Sequence, residues 1–292
     1  MKNFIKGLLP KGMRNKLKSM APGNSGGMAV AVPYTIQVSK PGLLEGKVAV
    51  VTGGSGAIGR AICCRLAADG AMVVVCGMSH DKMQGVVDEI KANDGQAVMK
   101  QLDISSEEKI SEFYQWLKDT YQQLDILVNC AGGSARQASR PIYELETETI
   151  DNTLHVNLRG TMLCTREASK MMVEAKSGAI ISVTSVIGEH GKAKFSEYAA
   201  AKAGIIAFTK SIAMELGNLG ITANCVSPGI VQRGTITPAQ MAKLKKTNYM
   251  NAYGRPEDIS EMVAYLTREE GKFITGQNFK VDGGRSLGLK GD

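Results

Sequence analysis

The feature that most constrains the fold is a regular alternation of short apolar runs with longer amphipathic runs, which begins at Lys47. The short runs are rich in β-branched residues, as over 47–51, and continuous runs of this kind suit strands that are buried on both faces. Strands are predicted over 47–51, 73–76, 97–101, 126–129, 179–184, 221–226 and 277–281, and helices over 58–68, 80–93, 106–121, 147–175, 195–216 and 256–267. Because strands that alternate with helices form parallel sheets, we predict an α/β fold: one doubly wound sheet of seven parallel strands with helices on both faces.

The positive charge of the chain is concentrated at its N-terminus. Residues 1–44 hold seven of the 35 basic residues and no acidic residue, which leaves 28 basic residues against 28 acidic ones. We therefore predict a basic N-terminal extension and linker over 1–44 and one folded domain over 45–292. The charge balance of this domain does not support a basic face for nucleic acid, so a nucleic-acid partner is not predicted.

The N-terminal extension has a basic amphipathic pattern. Apolar residues recur at three- and four-residue steps between its lysines, and Pro10 interrupts them. The pattern fits contact with an anionic membrane surface or a partner, and it also fits an unstructured leader followed by a flexible linker over 21–28.

Cysteine and histidine usage indicates neither a disulfide framework nor a metal site. The six cysteines form no Cys-x-x-Cys pair and mostly lie in apolar runs, which favours reduced thiols. The three histidines, His80, His155 and His190, have no spacing typical of metal ligands. No apolar run approaches the length of a membrane span, and no secretory signal is evident, so we expect a cytoplasmic protein.

A glycine-rich stretch, Thr-Gly-Gly-Ser-Gly-Ala-Ile-Gly over 52–59, connects the first predicted strand to the first predicted helix. Glycines at such a turn let backbone N–H groups approach a pyrophosphate at the start of a helix. A purely structural turn is the alternative, and the position between strand and helix favours nucleotide binding.

Tyr198 and Lys202 are four residues apart within a run of alanines, which places them on one face of a predicted helix. A cation beside a phenol favours the phenolate and lowers its pKa, which is useful for proton transfer. By itself, the pair is more typical of an ordinary helix start with one solvated lysine.

Together these motifs resemble those of the classical short-chain dehydrogenase/reductase family. Thr52, Gly53 and Gly59 match its Thr-Gly-x-x-x-Gly-x-Gly turn, and Ala57 replaces the middle glycine. Further matches follow in the family's order over roughly 45–285: Asn-Cys-Ala-Gly at 129–132, Asn157, Ser185, Tyr198 and Lys202, Ser-Pro-Gly at 227–229, and C-terminal signatures at 254–258, 274–277 and 281–284. The resemblance implies a Rossmann-type fold and makes 45–292 the catalytic domain.

The resemblance also implies a catalytic role for four residues. Tyr198 is expected to be the general acid and base, Lys202 to lower its pKa, and Ser185 to stabilise the substrate oxygen. Asn157 is expected to hold a water that links Lys202 to solvent. The implied reaction is hydride transfer between a nicotinamide cofactor and a ketone or secondary alcohol.

The cofactor-binding residues carried over from the family follow the carboxyl ends of the predicted strands. They are Gly53, Ser55, Gly56, Ala57, Ile58, Gly59, Gly77, Met78, Asp103, Ile104, Asn129, Ala131, Gly132, Tyr198, Lys202, Pro228, Gly229 and Val231. In the family an acidic residue after the second strand favours NAD, and this chain has none there. We therefore predict NADP, with NAD as the alternative, and expect Ser79, His80 and Arg60 to help hold the 2′-phosphate.

Substrate specificity is expected to depend on the loop between Gly229 and Gly254. Its basic residues, Arg233, Lys243, Lys245 and Lys246, fit an anionic substrate, and they also fit a solvated helix face. The chain is most similar in general to 3-oxoacyl-carrier-protein reductases, although Leu219 replaces an arginine usual in that type. Sugar, polyol or hydroxysteroid dehydrogenase activity is the alternative, and a non-catalytic nucleotide-binding scaffold is the more remote one. Family likeness further implies a homotetramer.

Overall fold

A computed structural model describes residues 43–133, 139–235 and 237–288, without the side chain of Lys243. The predictions for residues 1–42, the basic amphipathic extension and its linker, concern residues outside this described part of the chain. The seven strands are β1 (Val48–Thr52), β2 (Met72–Gly77), β3 (Gln96–Gln101), β4 (Ile126–Asn129), β5 (Gly178–Val183), β6 (Ile221–Pro228) and β7 (Asn278–Val281). They form one parallel sheet in the order β3-β2-β1-β4-β5-β6-β7, which confirms the predicted fold class.

Helices cover both faces of this sheet. They are α1 (Ala57–Ala68), α2 (His80–Ala92), α3 (Glu107–Tyr121), α4 (Thr147–Leu154), α5 (Gly160–Ala175), α6 (Ile187–His190), α7 (Ser196–Leu216), α8 (Pro238–Lys245) and α9 (Pro256–Thr267), with single 3₁₀ turns at Ile142–Glu144, Gly217–Leu219 and Glu269–Gly271. No helix in the described ranges is both long and apolar enough to cross a bilayer.

The core forms two layers because alternate residues of each strand point to opposite faces. Along β1, Ala49 and Val51 belong to one buried cluster, which includes Ile62 of α1 and Val263 of α9. Val50 belongs to the other cluster, with residues of α3, α5 and α7. All six cysteines are free thiols, as the sequence predicted.

The strand order reverses between β1 and β4, and this position places the functional site. β1 is paired on one side with β2 and on the other with β4, where Thr52 lies opposite Asn129. The chain leaves these neighbouring strands in opposite directions, which opens a crevice beyond their carboxyl ends.

At the amino ends of the strands, opposite the crevice, a buried charge network joins α1 to α9. Asp69 is fully buried and accepts hydrogen bonds from Arg65 and from Arg268, whose Nε and Nη2 lie 2.9 and 2.6 Å from its Oδ2. Arg65 also lies 3.3 Å from Glu261 of α9. Because a buried carboxylate needs compensating charge, this network fixes the ends of the two helices together.

The helix predicted over 147–175 is divided in the structure. α4 and α5 are separated by a π-helical turn, His155–Arg159, which contains the buried Asn157. A π turn inserts one extra residue into the helical repeat, so side chains on either side of it change face. The short helices α6 and α8 were not predicted as separate elements.

Candidate active site

A cavity of about 560 Å³ lies at the carboxyl ends of the strands, beside the reversal point of the sheet. The glycine-rich turn after β1 forms one wall, the ends of β2 and β3 form the second, and residues after β4, β5 and β6 form the third. Tyr198 and Lys202 of α7 also line it, so the cavity brings together motifs that are far apart in sequence.

The glycine-rich turn needs its glycines for two different reasons. Gly53 has a φ of +65°, and a Cβ on it would lie 2.7 Å from Ala131 Cα. A Cβ on Gly59 would lie only 2.1 Å from the carbonyl oxygen of Gly53, because α1 begins directly against the turn. Both positions therefore exclude larger residues, and the helix start is held close to the cavity.

The N-terminus of α1 faces this cavity without a capping side chain. Its N-cap, Gly56, makes no side-chain cap, and no acidic residue lies in the first turn. The first N–H groups of a helix have no partner within the helix and carry the positive end of its dipole. The lining residues Ala57, Ile58 and Gly59 thus offer donors suited to a pyrophosphate.

Thr52 and Asn129 organise the ends of β1 and β4 from behind the cavity. Thr52 Oγ1 accepts from the N–H groups of Cys130 and Ala131, each at 3.1 Å. Asn129 is buried, and its Nδ2 donates to Thr165 Oγ1 at 3.0 Å. Asn129 therefore connects the end of β4 to α5 and does not itself line the cavity.

Asn157 lies behind the same loop. Its Oδ1 accepts from the Gly133 N–H at 3.0 Å, and its Nδ2 donates to the carbonyls of Gly133 and Thr153 at 3.1 and 3.0 Å. Both amide hydrogens of Asn157 are used. A water at this side chain would therefore donate a hydrogen bond to Oδ1, which has a second lone pair. The predicted water-holding role stays a prediction.

Ser185, two residues after β5, and Tyr198, in the first turn of α7, both line the cavity. Ser185 Oγ accepts from the Ile187 N–H at 3.2 Å, which leaves its hydroxyl proton for another acceptor. Tyr198 is 8% exposed, so its ring is packed while it still lines the cavity.

Lys202 is held in a fixed position under Tyr198. Its Nζ donates to the Val183 carbonyl at 3.0 Å and lies 5.7 Å from the centre of the Tyr198 ring. The pKa of Lys202 is lowered from 10.5 to about 8, chiefly by burial and in smaller part by the positive charge of Arg233. The amine is thus still largely protonated at neutral pH and places a cation beside the phenol.

Asp103 lies at the far end of the cavity, beyond β3. Its Oδ1 accepts from the backbone and hydroxyl of Ser105 at 2.9 and 2.6 Å, and these bonds hold its pKa below the usual value. Because both bonds fall on Oδ1, Oδ2 is left to accept from a ligand such as an adenine amine.

The end of β2 carries no carboxylate within the cavity wall, where Gly77 and the exposed Met78 lie. Two of the groups predicted to hold a 2′-phosphate have other partners. Arg60 Nη2 donates to Glu89 Oε1 at 2.7 Å in a bidentate pair, and His80 Nδ1 lies 3.5 Å from Asp81. Ser79 and His80 are exposed beyond the lining.

Most of the predicted cofactor residues line this one cavity, and two do not. Asn129 supports it from behind, and Val231 lies in neighbouring cavities instead. The lining residues that the sequence assigned neither to the cofactor nor to catalysis are Leu102, Cys130, Gly133, Val156, Val183, Thr184 and Arg233. Most of them directly adjoin a predicted site residue in sequence, and this adjacency was the signal available for finding them.

A second cavity, of about 510 Å³, adjoins the first and shares Ser185, Tyr198, Gly229 and Arg233 with it. It lies under α8, in the region where the sequence predicted substrate contacts. Lys245 and Lys246 are exposed outside it, and the prediction for the Lys243 side chain lies outside the described residues. His190 also lies outside the lining, 3.6 Å from Glu189.

Comparison with known proteins gives one consistent family. A sequence model of the short chain dehydrogenase family matches residues 47–245. A 3-oxoacyl-[acyl-carrier-protein] reductase of Synechocystis sp. is 36% identical over 243 residues, which cover 82% of this chain and 97% of the relative. The short-chain dehydrogenase/reductase eriH of Hericium erinaceus is 40% identical over 250 residues, covering 82% and 97%.

Solved structures of the same kind superpose on the described fold. A short-chain type dehydrogenase/reductase from Mycobacterium ulcerans gives a TM-score of 0.78 at 27% identity, with 84% of this chain and 91% of that chain covered. A protein from Agrobacterium tumefaciens, whose name proposes a gluconate dehydrogenase, gives 0.81 at 29% identity, with 86% and 100% covered.

Proposed function

The chain belongs to the short-chain dehydrogenase family, and on this basis we propose that it transfers a hydride between a nicotinamide dinucleotide and a ketone or secondary alcohol. The observation that carries the proposal is the position of Ser185 and Tyr198. They line both the cavity at the sheet reversal point and the cavity under α8. A substrate in the second cavity would therefore meet a cofactor in the first at these two hydroxyls.

The residues of the first cavity fit a dinucleotide. The uncapped N-terminus of α1 supplies unpaired N–H groups and no acidic residue, as a pyrophosphate requires. Gly53 and Gly59 leave no room for side chains at the turn, which lets the phosphates approach the backbone. Asp103 has a free carboxylate oxygen at the adenosine end.

The protein's own contribution to the reaction is control of a proton. When bound, the nicotinamide supplies or accepts the hydride. Tyr198 Oη donates its proton to the substrate oxygen during reduction and takes it back during alcohol oxidation. Ser185 Oγ donates a hydrogen bond to the same oxygen as negative charge develops there.

Lys202 makes this proton transfer feasible near neutral pH. Its ammonium group is fixed by the Val183 carbonyl, so its charge acts on Tyr198 without needing to reorganise. Moving a phenol pKa from about 10 toward 7 takes about 4 kcal/mol of differential stabilisation. The buried Lys202 Nζ, 5.7 Å from the centre of the Tyr198 ring, is a positive charge that contributes to this stabilisation.

For the substrate, we propose a 3-oxoacyl thioester as the first candidate, because named 3-oxoacyl-[acyl-carrier-protein] reductases match the chain over nearly their full length. A sugar acid is the second candidate, supported by the structural likeness to the Agrobacterium protein. NADP(H) is expected over NAD(H), since no carboxylate of the β2 end lines the cavity to repel a 2′-phosphate. Assembly as a homotetramer stays a prediction.

The test is cofactor oxidation with a panel of ketones, run for the wild type and for Tyr198→Phe. We expect Tyr198→Phe to lower kcat by about 10²- to 10⁴-fold while cofactor binding is kept, because only the transferable proton is removed. Tyr265→Phe, at an exposed tyrosine of α9, is the matched control and should be fully active. Undiminished turnover by Tyr198→Phe would contradict the mechanism, and cofactor binding without any turnover would favour a scaffold.

A further inference from the structure

The cavity under α8 carries a strong and one-sided charge. Three basic residues, Lys192, Arg233 and Arg285, line it together with the reacting groups Ser185 and Tyr198, and among the described residues no aspartate or glutamate does. The 45–292 domain has as many acidic as basic residues, so this local excess is not a property of the whole surface. Low-dielectric walls lined by one sign of charge concentrate ligands of the opposite sign.

Arg285 is positioned for binding and not merely placed at the surface. It is half-buried, and its Nη1 donates to the Thr247 carbonyl at 3.1 Å. One donor thus anchors the guanidinium, and four others are left for a ligand. Within the described ranges, no carboxylate forms an ion pair with Arg285 or Arg233.

The remaining wall of the cavity is mainly apolar. Its apolar lining includes Ile187, Phe195, Ile230 and Leu244. Lys192 brings a positive charge next to this apolar lining, because its Nζ lies 4.3 Å from the centre of the Phe195 ring. A ligand that matches this wall has an apolar body and a charged end.

We propose that this cavity binds a ketone or alcohol substrate with an apolar body and an anionic group, a carboxylate or a phosphate, held by Arg285 and Arg233. The inference rests on the proposed function, since it assigns the reacting oxygen to Ser185 and Tyr198. A guanidinium matches both anions in bidentate geometry, so the shared chemistry is an oxyanion at the end of an apolar chain.

Arg233 has a second role to distinguish, because it also lines the cofactor cavity and is close enough to lower the pKa of Lys202. A phosphate of the cofactor is therefore a competing partner for Arg233. Arg285 and Lys192 do not line the cofactor cavity, so they provide anion binding that is independent of this competition.

The experiment measures binding and does not require turnover. Octanoate, octyl phosphate and octanamide are titrated into the full chain by calorimetry, with and without saturating NADP⁺. The three probes share an apolar body and differ in their end group. The variants are Arg285→Gln and Arg233→Gln, and Lys109→Gln, an exposed lysine of α3 paired with Glu112, is the control.

We expect one or both anions to bind more tightly than octanamide. Arg285→Gln should weaken the preferred anion about tenfold, because Arg285 is half-buried, and Arg233→Gln about threefold, because Arg233 is exposed. Both losses should shrink at about 1 M salt, where the Debye length is about 3 Å. Octanamide binding and the Lys109→Gln variant should show no change.

Equal binding of octanamide and the anions, no binding of any probe, or anion binding that survives both arginine variants would each overturn the inference. Tighter binding of octanoate identifies a carboxylate, and tighter binding of octyl phosphate identifies a phosphate. A loss of NADP⁺ affinity in Arg233→Gln with octanoate and octyl phosphate binding unchanged would assign that residue to the cofactor and contradict its proposed role. The Tyr198→Phe assay tests the proposed function separately, because it depends on turnover and not on these affinities.

Discussion

Asn157 binds both backbone polar groups of Gly133, with Oδ1 accepting from its N–H at 3.0 Å and Nδ2 donating to its carbonyl at 3.1 Å. The adjacent Gly132 has a φ of +115°, and a Cβ on it would lie 2.5 Å from that same Oδ1. The loop after β4 is therefore shaped directly around one amide side chain, which the π-helical turn presents to it.

Gly132→Ala and Asn157→Ala should each destabilise the protein, and their effects should not add. Gly132→Ala introduces strain and a clash, and Asn157→Ala leaves the Gly133 backbone groups unpaired, each at a cost of about 1–3 kcal/mol. The double variant should cost less than the sum, because removing Asn157 also removes the clash. Urea unfolding of the four proteins measures the coupling, and simple additivity would contradict the described contact.

Gly59→Ala should disrupt the cofactor turn. The new methyl would lie 2.1 Å from the Gly53 carbonyl oxygen, which is backbone and cannot move away cheaply. We expect NADPH affinity to fall at least about tenfold, along with a loss of stability. Gly85→Ala is the matched control, because Gly85 is an exposed helix position where a Cβ would meet no atom within 4 Å. This variant should gain up to about 1 kcal/mol in free energy of unfolding. Normal NADPH binding by Gly59→Ala would argue against this turn as the cofactor site.

Charge at position 78 should set the choice between NADPH and NADH. Met78 is 58% exposed and lines the cofactor cavity, so substitutions there should leave the fold intact. Met78→Arg should raise the NADPH over NADH ratio of kcat/KM about tenfold, and Met78→Asp should lower it by a similar factor, because a charge beside the 2′-phosphate is worth about 1–2 kcal/mol. Met78→Gln controls for shape. If the NADPH over NADH ratio does not follow the sign of the charge at position 78, the 2′-phosphate does not bind beside that residue.

Lys202 should make stability depend on pH. Its pKa in the folded protein is lowered by burial from 10.5 to about 8, so between these values the unfolded chain keeps a proton that the folded chain has lost. The free energy of unfolding therefore rises with pH across this window, by up to about 3 kcal/mol. Below it, both states are protonated and the group adds no slope.

The measurement is the difference in unfolding free energy between the wild type and Lys202→Met at about pH 7 and about pH 10. Subtracting the variant removes the contribution of the other titrating groups. The wild type should gain stability relative to Lys202→Met as the pH rises. A flat difference would mean that the amine keeps an ordinary pKa in the folded protein.

Asp69→Asn should destabilise the protein strongly while leaving the site intact. It leaves Arg65 and Arg268 without their buried counter-charge, which costs about 3–5 kcal/mol. Glu261→Gln removes the exposed member of the same network and should cost less than about 1 kcal/mol. Because Asp69 lies at the amino edge of the sheet, kcat at a temperature where the variant is folded should match the wild type. A loss below about 1 kcal/mol in thermal unfolding of Asp69→Asn would contradict the buried network.

Several elements of the site could be predicted because they depend on spacing along one segment. Tyr198 and Lys202 lie on the same face of α7, as an interval of four residues requires. The stretch over 52–59 connects β1 to α1, and a Cβ on Gly53 or Gly59 would meet backbone atoms there. The π-helical turn at Asn157 was not predicted, because the pattern over 147–175 was interpreted as one continuous helix.

Other features depended on partners distant in sequence. Arg60 was predicted to hold a phosphate, yet Glu89, 29 residues further along, takes its guanidinium in a bidentate pair. Arg285 carried no motif, and only the packing of the chain after β7 against Thr247 brings it to the cavity of Ser185 and Tyr198.

The amino-acid order by itself determined the seven strands and their helices, because strands buried on both faces favour continuous apolar runs and a helical face favours a repeat near four residues. Tertiary structure alone decided which charges are neutralised and which stay available for ligands. The physical reason is that ion pairing and desolvation depend on distances in space, and these distances are fixed only when the helices pack on the sheet.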